Sequence, residues 1–359
     1  MDLCFWQRLP ALAQNKPLVL YGMGNGADKL LRQLERLHLQ PAGLFASDEF
    51  VRGQSFAGLP VLTYAEAKRC FGQMLVLVCF GTEQPAVLAN IQKIAAEQEL
   101  YAPHLPLFGT TLADEDFWRL YQKPLTEAAS VWADDESQTV YRNYLYYMWT
   151  GRIEYLQKVT SLKSEVWPIL DLQSDEVYLD LGAYDGDTVA EFADLVRGRW
   201  RQIWALEPDA KNFSKLQARI ANLPNAQALP LAVYKSSGEL IFNGQAGRNS
   251  AISELDVYSK KQYAVQGISL DDLRRDYLSC TPTYIKMDVE GAEESALLGG
   301  RQMFAQAGQH RPKLAVAAYH RTEDIFKLPL LLKKLNPDYR LYLRHHPYIP
   351  GWETNIYAI

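Results

Sequence analysis

Short unbroken apolar runs alternate with stretches of helical apolar spacing along most of the chain. Residues 18–21 form the first run, and Gly22, Gly24 and Gly26 follow it directly. Residues 27–37 then carry apolar positions at helical period. The pattern repeats: a strand at 43–46 followed by Ser47 and Asp48, residues 58–62 leading to a helix at 64–70, and a buried strand at 74–80 before Gly81, Thr82 and a helix through Ala96. Such alternation predicts a small Rossmann-like α/β unit over residues 1–112.

Residues 113–170 break the alternation and predict a helical connector. Over 116–148 the spacing is helical, with Tyr141, Tyr144, Leu145 and Met148 on one face. Gly151 interrupts this run, 153–159 resumes it, and Trp167-Pro168 closes it, because proline disfavours helix before itself. Packing between domains is the expected role of these aromatics, and a lid over the crevice that follows is the functional alternative.

From 171 to 359 the strand–helix alternation returns. Core strands are expected at 177–181, 202–206, 226–232, 283–287 and 313–319, with helices at 210–221 and 325–335. Residues 238–243 and the glycines after them predict an antiparallel insertion, and 268–273 a strand end and a helix start. The last two strands, 339–344 and 355–359, are joined by too short a loop for a crossover helix, so they must be antiparallel. The expectation is a seven-stranded α/β sheet with an antiparallel last strand.

A length of 359 residues suits two domains of about 100–200 residues each, and 48% hydrophobic content is enough for two cores. Net charge −5 and a pI near 5.8 disfavour a nucleic-acid partner. Cys4, Cys70, Cys79 and Cys280 have no metal spacing and suggest no disulfide framework, which fits a reducing cytoplasm. No apolar run reaches the ~18–20 residues of a membrane span, and the N-terminus lacks the features of a signal peptide.

The chemistry concentrates at 177–187, Val-Tyr-Leu-Asp-Leu-Gly-Ala-Tyr-Asp-Gly-Asp. This is a strand, a glycine turn and a helix start, the arrangement of a cofactor crevice at a carboxyl sheet edge. A dinucleotide turn needs Gly-x-Gly-x-x-Gly to seat pyrophosphate. Here Tyr184 occupies the second glycine position, and Asp180, Asp185 and Asp187 would repel phosphate and suit a cation. S-adenosylmethionine carries an ammonium and a sulfonium and no phosphate. Glu207 ends the next strand, where a carboxylate accepts ribose hydroxyls; a helix-start charge is the plainer alternative.

In the first unit, Gly22, Gly24 and Gly26 with Asp48 are candidates for a nucleotide site. Residues 18–62 resemble the N-terminal half-fold of sugar O- and N-acyltransferases that bind nucleotide-sugars. A lone Gly-x-Gly turn is weak evidence, and a scaffold or dimerisation unit is the alternative.

Three blocks in order, Asp180 to Asp187, Glu207-Pro208 and Ile285-Lys-Met-Asp-Val-Glu-Gly-Ala-Glu293, resemble the FkbM family of S-adenosylmethionine-dependent O-methyltransferases. The resemblance implies a class I methyltransferase fold and methyl transfer to a hydroxyl of a sugar, glycan or natural product. Donor-binding candidates are Asp180, Gly182, Tyr184, Asp185, Gly186, Asp187, Glu207 and Asp288. A hydroxyl acceptor must lose its proton, and the candidates for this work are His320, Asp288 and Glu290 at neighbouring strand ends. Of these His320, with an ordinary pKa of about 6.5, needs no tuning to act as a base. No metal is expected, though Asp288, Glu290 and His320 together would be the ligands of one. Lys286 is a charge inside a strand and needs a partner, with Asp180 and Glu290 the nearest candidates. His345-His346 is read as a rim feature. A donor- or nucleotide-binding scaffold without turnover, and a nicotinamide-dependent oxidoreductase, are the competing readings. The acceptor and the oligomeric state are not legible in the sequence.

Overall fold

The computed structural model describes residues 3–243, 251–252, 262–306 and 311–359. The first half builds a sheet from β1 (Leu18–Tyr21), β2 (Gly43–Phe45), β3 (Ser55–Phe56), β4 (Leu59–Leu62), β5 (Leu75–Val78) and β6 (Glu99–Tyr101), in the order β3-β4-β2-β1-β5-β6. Only the β3–β4 pair is antiparallel. The three central strands are buried along their whole length, which is why they read as unbroken apolar runs. A first helix, Phe5–Asn15, precedes β1, and the pattern did not announce it. Pro10 lies inside it.

The connector is less regular than its spacing suggested. The single run expected over 116–148 is three helices, Glu115–Leu120, Gln122–Ala128 and Asp135–Thr150. Asp114 and Asp134 accept backbone N–H bonds at two helix starts and so punctuate the run. Pro168 does not close a helix but opens a short one, Trp167–Leu170, where its missing N–H costs nothing. Tyr141, Tyr144 and Met148 are buried in a core cluster shared by both halves, with Leu145 packed against it. They are core rather than lid.

The second half builds β7 (Val177–Leu181), β8 (Gln202–Leu206), β9 (Ala226–Leu229), β14 (Tyr284–Met287), β15 (Lys313–Ala317), β16 (Leu341–His345) and β17 (Thr354–Ala358) into a sheet ordered β16-β17-β15-β14-β7-β8-β9. β17 lies between β15 and β16 and is antiparallel to both. The strand expected at 226–232 is split: β10 (Ala232–Val233) leaves the main sheet after Pro230, which has no N–H to give a ladder. It joins β11 (Gly238–Asn243), β12 (Ala251–Ile252) and β13 (Gln262–Ile268) in a separate four-stranded sheet. β11 pairs antiparallel with β13. Gly244 and Gly247 of the expected insertion lie outside the described residues.

Backbone bonds stitch the halves together. Thr82 and Ile349 exchange N–H···O bonds of 2.9 and 3.1 Å, and Ser161 N donates to His345 O. His345 and His346 are buried rather than on the rim. His345 Nδ1 lies 2.9 Å from Thr354 Oγ1, and His346 Nε2 lies 2.7 Å from the Tyr357 hydroxyl. Burial pushes their pKa values down to about 3 and about 4. No helix among the described residues is long and apolar enough to cross a membrane.

Candidate active site

The carboxyl ends of β7, β8, β14 and β15 surround a cavity of about 320 Å³. Gly182 follows β7 with φ +77°, and a Cβ there would overlap the Asp288 carbonyl oxygen. The glycine is therefore required by the packing of the turn that follows β7 on the turn that follows β14. Tyr184 N donates to Glu207 Oε2 and Asp209 N to Glu207 Oε1, each at 2.9 Å. Both carboxylate oxygens are thus fixed, with lone pairs left over. Burial raises the Glu207 pKa to about 7 in spite of these two bonds.

The three acids of the glycine turn do not converge on a ligand. Asp180 is fully buried under the cavity floor, where Thr188 Oγ1 donates to it at 2.5 Å and Lys286 Nζ lies 3.5 Å away. Asp185 turns away to Arg219, 3.2 Å distant, and Gly186 packs on Leu216 and Arg219. Of the eight donor-binding candidates, Gly182, Tyr184, Asp187, Glu207 and Asp288 line the cavity, and Asp180, Asp185 and Gly186 do not.

Lys286 is held by Asp180, by Asp288 at 3.8 Å and by the Gly182 carbonyl at 3.2 Å. Its second carboxylate partner is Asp288, just past the end of β14, and not Glu290. Burial works against the ammonium, but Asp180 and Asp288 outweigh it and the Lys286 pKa is raised. Asp288 is held ionised by Lys286 and His320 against its own burial.

Asp288, Glu290 and His320 line one side of this cavity. His320, 2% exposed, has Nδ1 2.8 Å from Glu293 Oε1, and Nε2 3.4 Å from Asp288 Oδ1 and 3.5 Å from Glu290 Oε2. Burial would depress the imidazole pKa, but Glu293, Glu290 and Asp288 raise it to about 10. This corrects the expectation of an untuned base: in this setting the ring keeps its proton at neutral pH. Glu290 (φ 54°), Tyr184 (φ 48°) and Glu353 (φ 58°) all face the cavity in left-handed backbone, which costs a side chain about 1–3 kcal/mol each. Strain of this kind gathers at sites that hold something.

Residues 180–350 match the model of the methyltransferase FkbM domain. The second half of the chain belongs to the FkbM methyltransferase family. No curated protein matches the sequence. The crystal structure of the FkbM methyltransferase from Methylobacillus flagellatus is similar over 99% of this chain and 94% of its own, with 20% identity and a TM-score of 0.71. The fold is thus shared across both halves. Fibrillarin from Aeropyrum pernix, solved with natively bound S-adenosyl-L-methionine, matches at 14% identity over 55% of this chain and 74% of its own. Its TM-score of 0.33 is too low to carry an argument.

Family and fold support methyl transfer by the FkbM domain. Sequence reasoning missed two residues that hold His320 in its place on the cavity wall. Glu293 ends the Lys-Met-Asp-Val-Glu-Gly-Ala-Glu block, and its Oε1 also accepts from Val289 N at 2.9 Å. Phe108, from the first half, packs edge-on to His320 at 5.8 Å, and its N–H donates to the His320 carbonyl at 3.0 Å. The block itself was a signal for Glu293; nothing in the local sequence signals Phe108.

Proposed function

We propose that the protein transfers a methyl group from S-adenosylmethionine to a hydroxyl of a small-molecule or glycan acceptor. The observation that carries this reading is that Glu207, anchored by two N–H groups, and the Asp288–Glu290–His320 wall open onto the same cavity. The charge of the lining fits a cationic donor: Glu83, Asp187, Glu191, Glu207, Asp288, Glu290 and Glu353 outnumber Lys163, Lys286 and His320. Glu207 would accept from the ribose hydroxyls, and Asp187 and Asp288 would attract the amino-acid end of the donor. When bound, the donor supplies a methyl group on a sulfonium, an electrophile that needs no activation by the protein.

The protein's work is then positioning and proton removal. Tyr184 and Gly182 shape the donor side, and Tyr319, Tyr348 and Trp352 line the acceptor side together with Glu83 of the first half. With His320 held as imidazolium by three carboxylates and Glu290 pushed up to about 8 by burial, Asp288 is the group left to take the hydroxyl proton. The test combines calorimetry of donor binding with mass spectrometry of products from a panel of hydroxyl acceptors. Donor binding with new O-methyl products is expected. Absence of binding, or methyl groups found only on nitrogen or carbon, overturns the proposal.

A further inference from the structure

The two turns that carry the acceptor wall are held from the first half of the chain. Residues 102–112 follow β6 as a segment without helix or strand. Its start is anchored. Ala102 N donates to the Gly151 carbonyl at 2.9 Å, and the buried His104 ring lies edge-on to Tyr144 and Tyr147. Farther on, the segment runs along the turn that follows β15. Phe108 N donates to the His320 carbonyl at 3.0 Å, Thr322 Oγ1 to the Thr111 carbonyl at 2.5 Å, and Thr111 Oγ1 to Glu323 Oε1 at 2.8 Å.

The turn after β14 depends on the same segment. Glu290 and Gly291 are successive residues in left-handed backbone, with φ 54° and +87°. A side chain stays in that region only where its surroundings dictate it. From within the second half, Arg321 Nε donates to the Gly291 carbonyl at 2.7 Å, and Val289 N donates to Glu293 Oε1 at 2.9 Å. From the first half comes the Phe108 side chain. A Cβ on Gly291 would stand 3.0 Å from Phe108 Cβ and 3.1 Å from its Cγ, so this glycine backbone is seated directly on the phenylalanine.

Phe108 is placed in turn by Lys29. This lysine lies on the helix Asn25–Arg36, which follows the first glycine turn. Its Nζ donates to two successive carbonyls, Pro106 at 3.0 Å and Leu107 at 2.5 Å. Bonds from an ionised donor are the strong kind. Two of them on neighbouring carbonyls fix the direction in which the chain leaves toward Phe108.

We infer that Lys29 and Phe108 are positioning residues for methyl transfer: Lys29 aims the segment, and Phe108 holds the Asp288–Gly291 turn and the His320 backbone where the acceptor meets them. This rests on the reading of the cavity as the methyl-transfer site. It gives the first half a part in the reaction that needs no ligand of its own. Misplacing reacting groups by about 1 Å costs on the order of 10²-fold in rate. On the donor side Glu207 is fixed by Tyr184 N and Asp209 N, which belong neither to the segment nor to the two turns it holds. A loosened segment should therefore lower the rate and spare donor-side affinity.

The test uses the full chain as wild type, Phe108→Ala, Lys29→Met and Lys16→Met. The last is a control that removes the 2.9 Å Lys16–Glu99 ion pair from the same half. Thermal unfolding checks that each variant is folded; should Phe108→Ala fail to fold, Lys29→Met decides. Amide hydrogen exchange, read by mass spectrometry, should speed up by about tenfold over 288–293 and 320–323 in Phe108→Ala and Lys29→Met, and stay unchanged over β8. S-adenosylhomocysteine affinity, measured by calorimetry, should be unchanged. On the hydroxyl acceptor that turns over fastest in the panel described above, kcat should fall by about 10–100-fold with the donor KM unchanged. Lys16→Met should alter none of these. Exchange unchanged at both turns, exchange raised equally over β8, or kcat at the wild-type level in both variants overturns the inference and leaves the reading of the cavity standing. A panel without any methylated product overturns that reading and this inference with it.

Discussion

The first strand of each main sheet passes to its helix through a glycine turn, and the two turns are built alike. A Cβ on Gly26 would overlap the Cys79 carbonyl, and one on Gly182 would overlap the Asp288 carbonyl. In both turns a glycine is required because the backbone after the neighbouring parallel strand lies against it. What differs is the space in front. In the first half Tyr21 stacks on Phe45 at 4.6 Å, and Phe80 fills the position a side chain at Gly22 would take. In the second half Glu207 and Asp288 follow β8 and β14, and a cavity opens before them. A glycine turn thus reports how a strand meets a helix. The residues at the strand ends report whether a ligand has room.

That contrast can be broken most sharply at the acceptor wall. Asp288→Asn should lower the methyl-transfer rate by about 10²–10⁴-fold. Asp48→Ala, at an exposed position beside the first turn, should leave it unchanged. Equal losses from the two in a steady-state assay would mean that both turns serve the reaction.

Next in size is the backbone. Gly182→Ala combines a left-handed φ with an overlap and should cost about 2–5 kcal/mol of stability. Gly26→Ala has only the overlap and should cost about 1–3 kcal/mol. Gly24→Ala meets nothing and pays only for its φ of +91°, about 1–2 kcal/mol. Urea unfolding of the three ranks them, and a Gly24 variant as damaged as Gly182→Ala would refute the packing account.

Glu207→Ala should weaken donor binding by about 1.5–3 kcal/mol, the worth of hydrogen bonds to a charged acceptor. Tyr21→Phe removes the bond to Ser47 in the first half and should not change it. Unchanged affinity in calorimetry of the Glu207 variant would make that residue a helix-start charge only.

The smallest effect is on pH dependence. Glu207, Glu290 and Asp324 have pKa values raised by burial to about 7, 8 and 8, so the folded chain keeps protons that the unfolded chain has released above its ordinary carboxylate range. The stability that His320 gains from its carboxylates is present in full below about 6.5 and is lost as pH rises through about 10. Buried His104, His345 and His346 oppose this only below their unfolded value of about 6.5. Stability should therefore fall from pH 6.5 to 9, and a flat or rising urea midpoint over that range would contradict it.

Much of this was legible in the sequence. The buried strands showed as unbroken apolar runs, and the reversed β17 followed from the short loop before it. The strand-end acids marked the cavity because a carboxylate after an apolar run has few structural reasons to be there. What stayed hidden was set by contacts distant in sequence. The His320 pKa depends on Glu293, 27 positions earlier. Asp185 looked like part of a cationic site until Arg219 claimed it. The connector hid its breaks because helical spacing continues across Asp134, whose capping bond ends one helix run and starts another.

The bond pair between Thr82 and Ile349 also fixes a sequence of events during synthesis. Protein chains leave the ribosome from their first residue onward, and early domains fold before later ones are made. Residues 18–101 contain a whole sheet, so it can form while the rest is still being translated. The catalytic sheet cannot, because β17, its last-made strand, must be inserted between β15 and β16. Glu83, next to Thr82, waits through all of this for the residues that will face it across the cavity. A nascent chain stalled between residues 321 and 353 carries Asp288, Glu290 and His320 and yet lacks β17, the strand beside β15. The cavity is therefore complete only after the whole of this sheet has been translated.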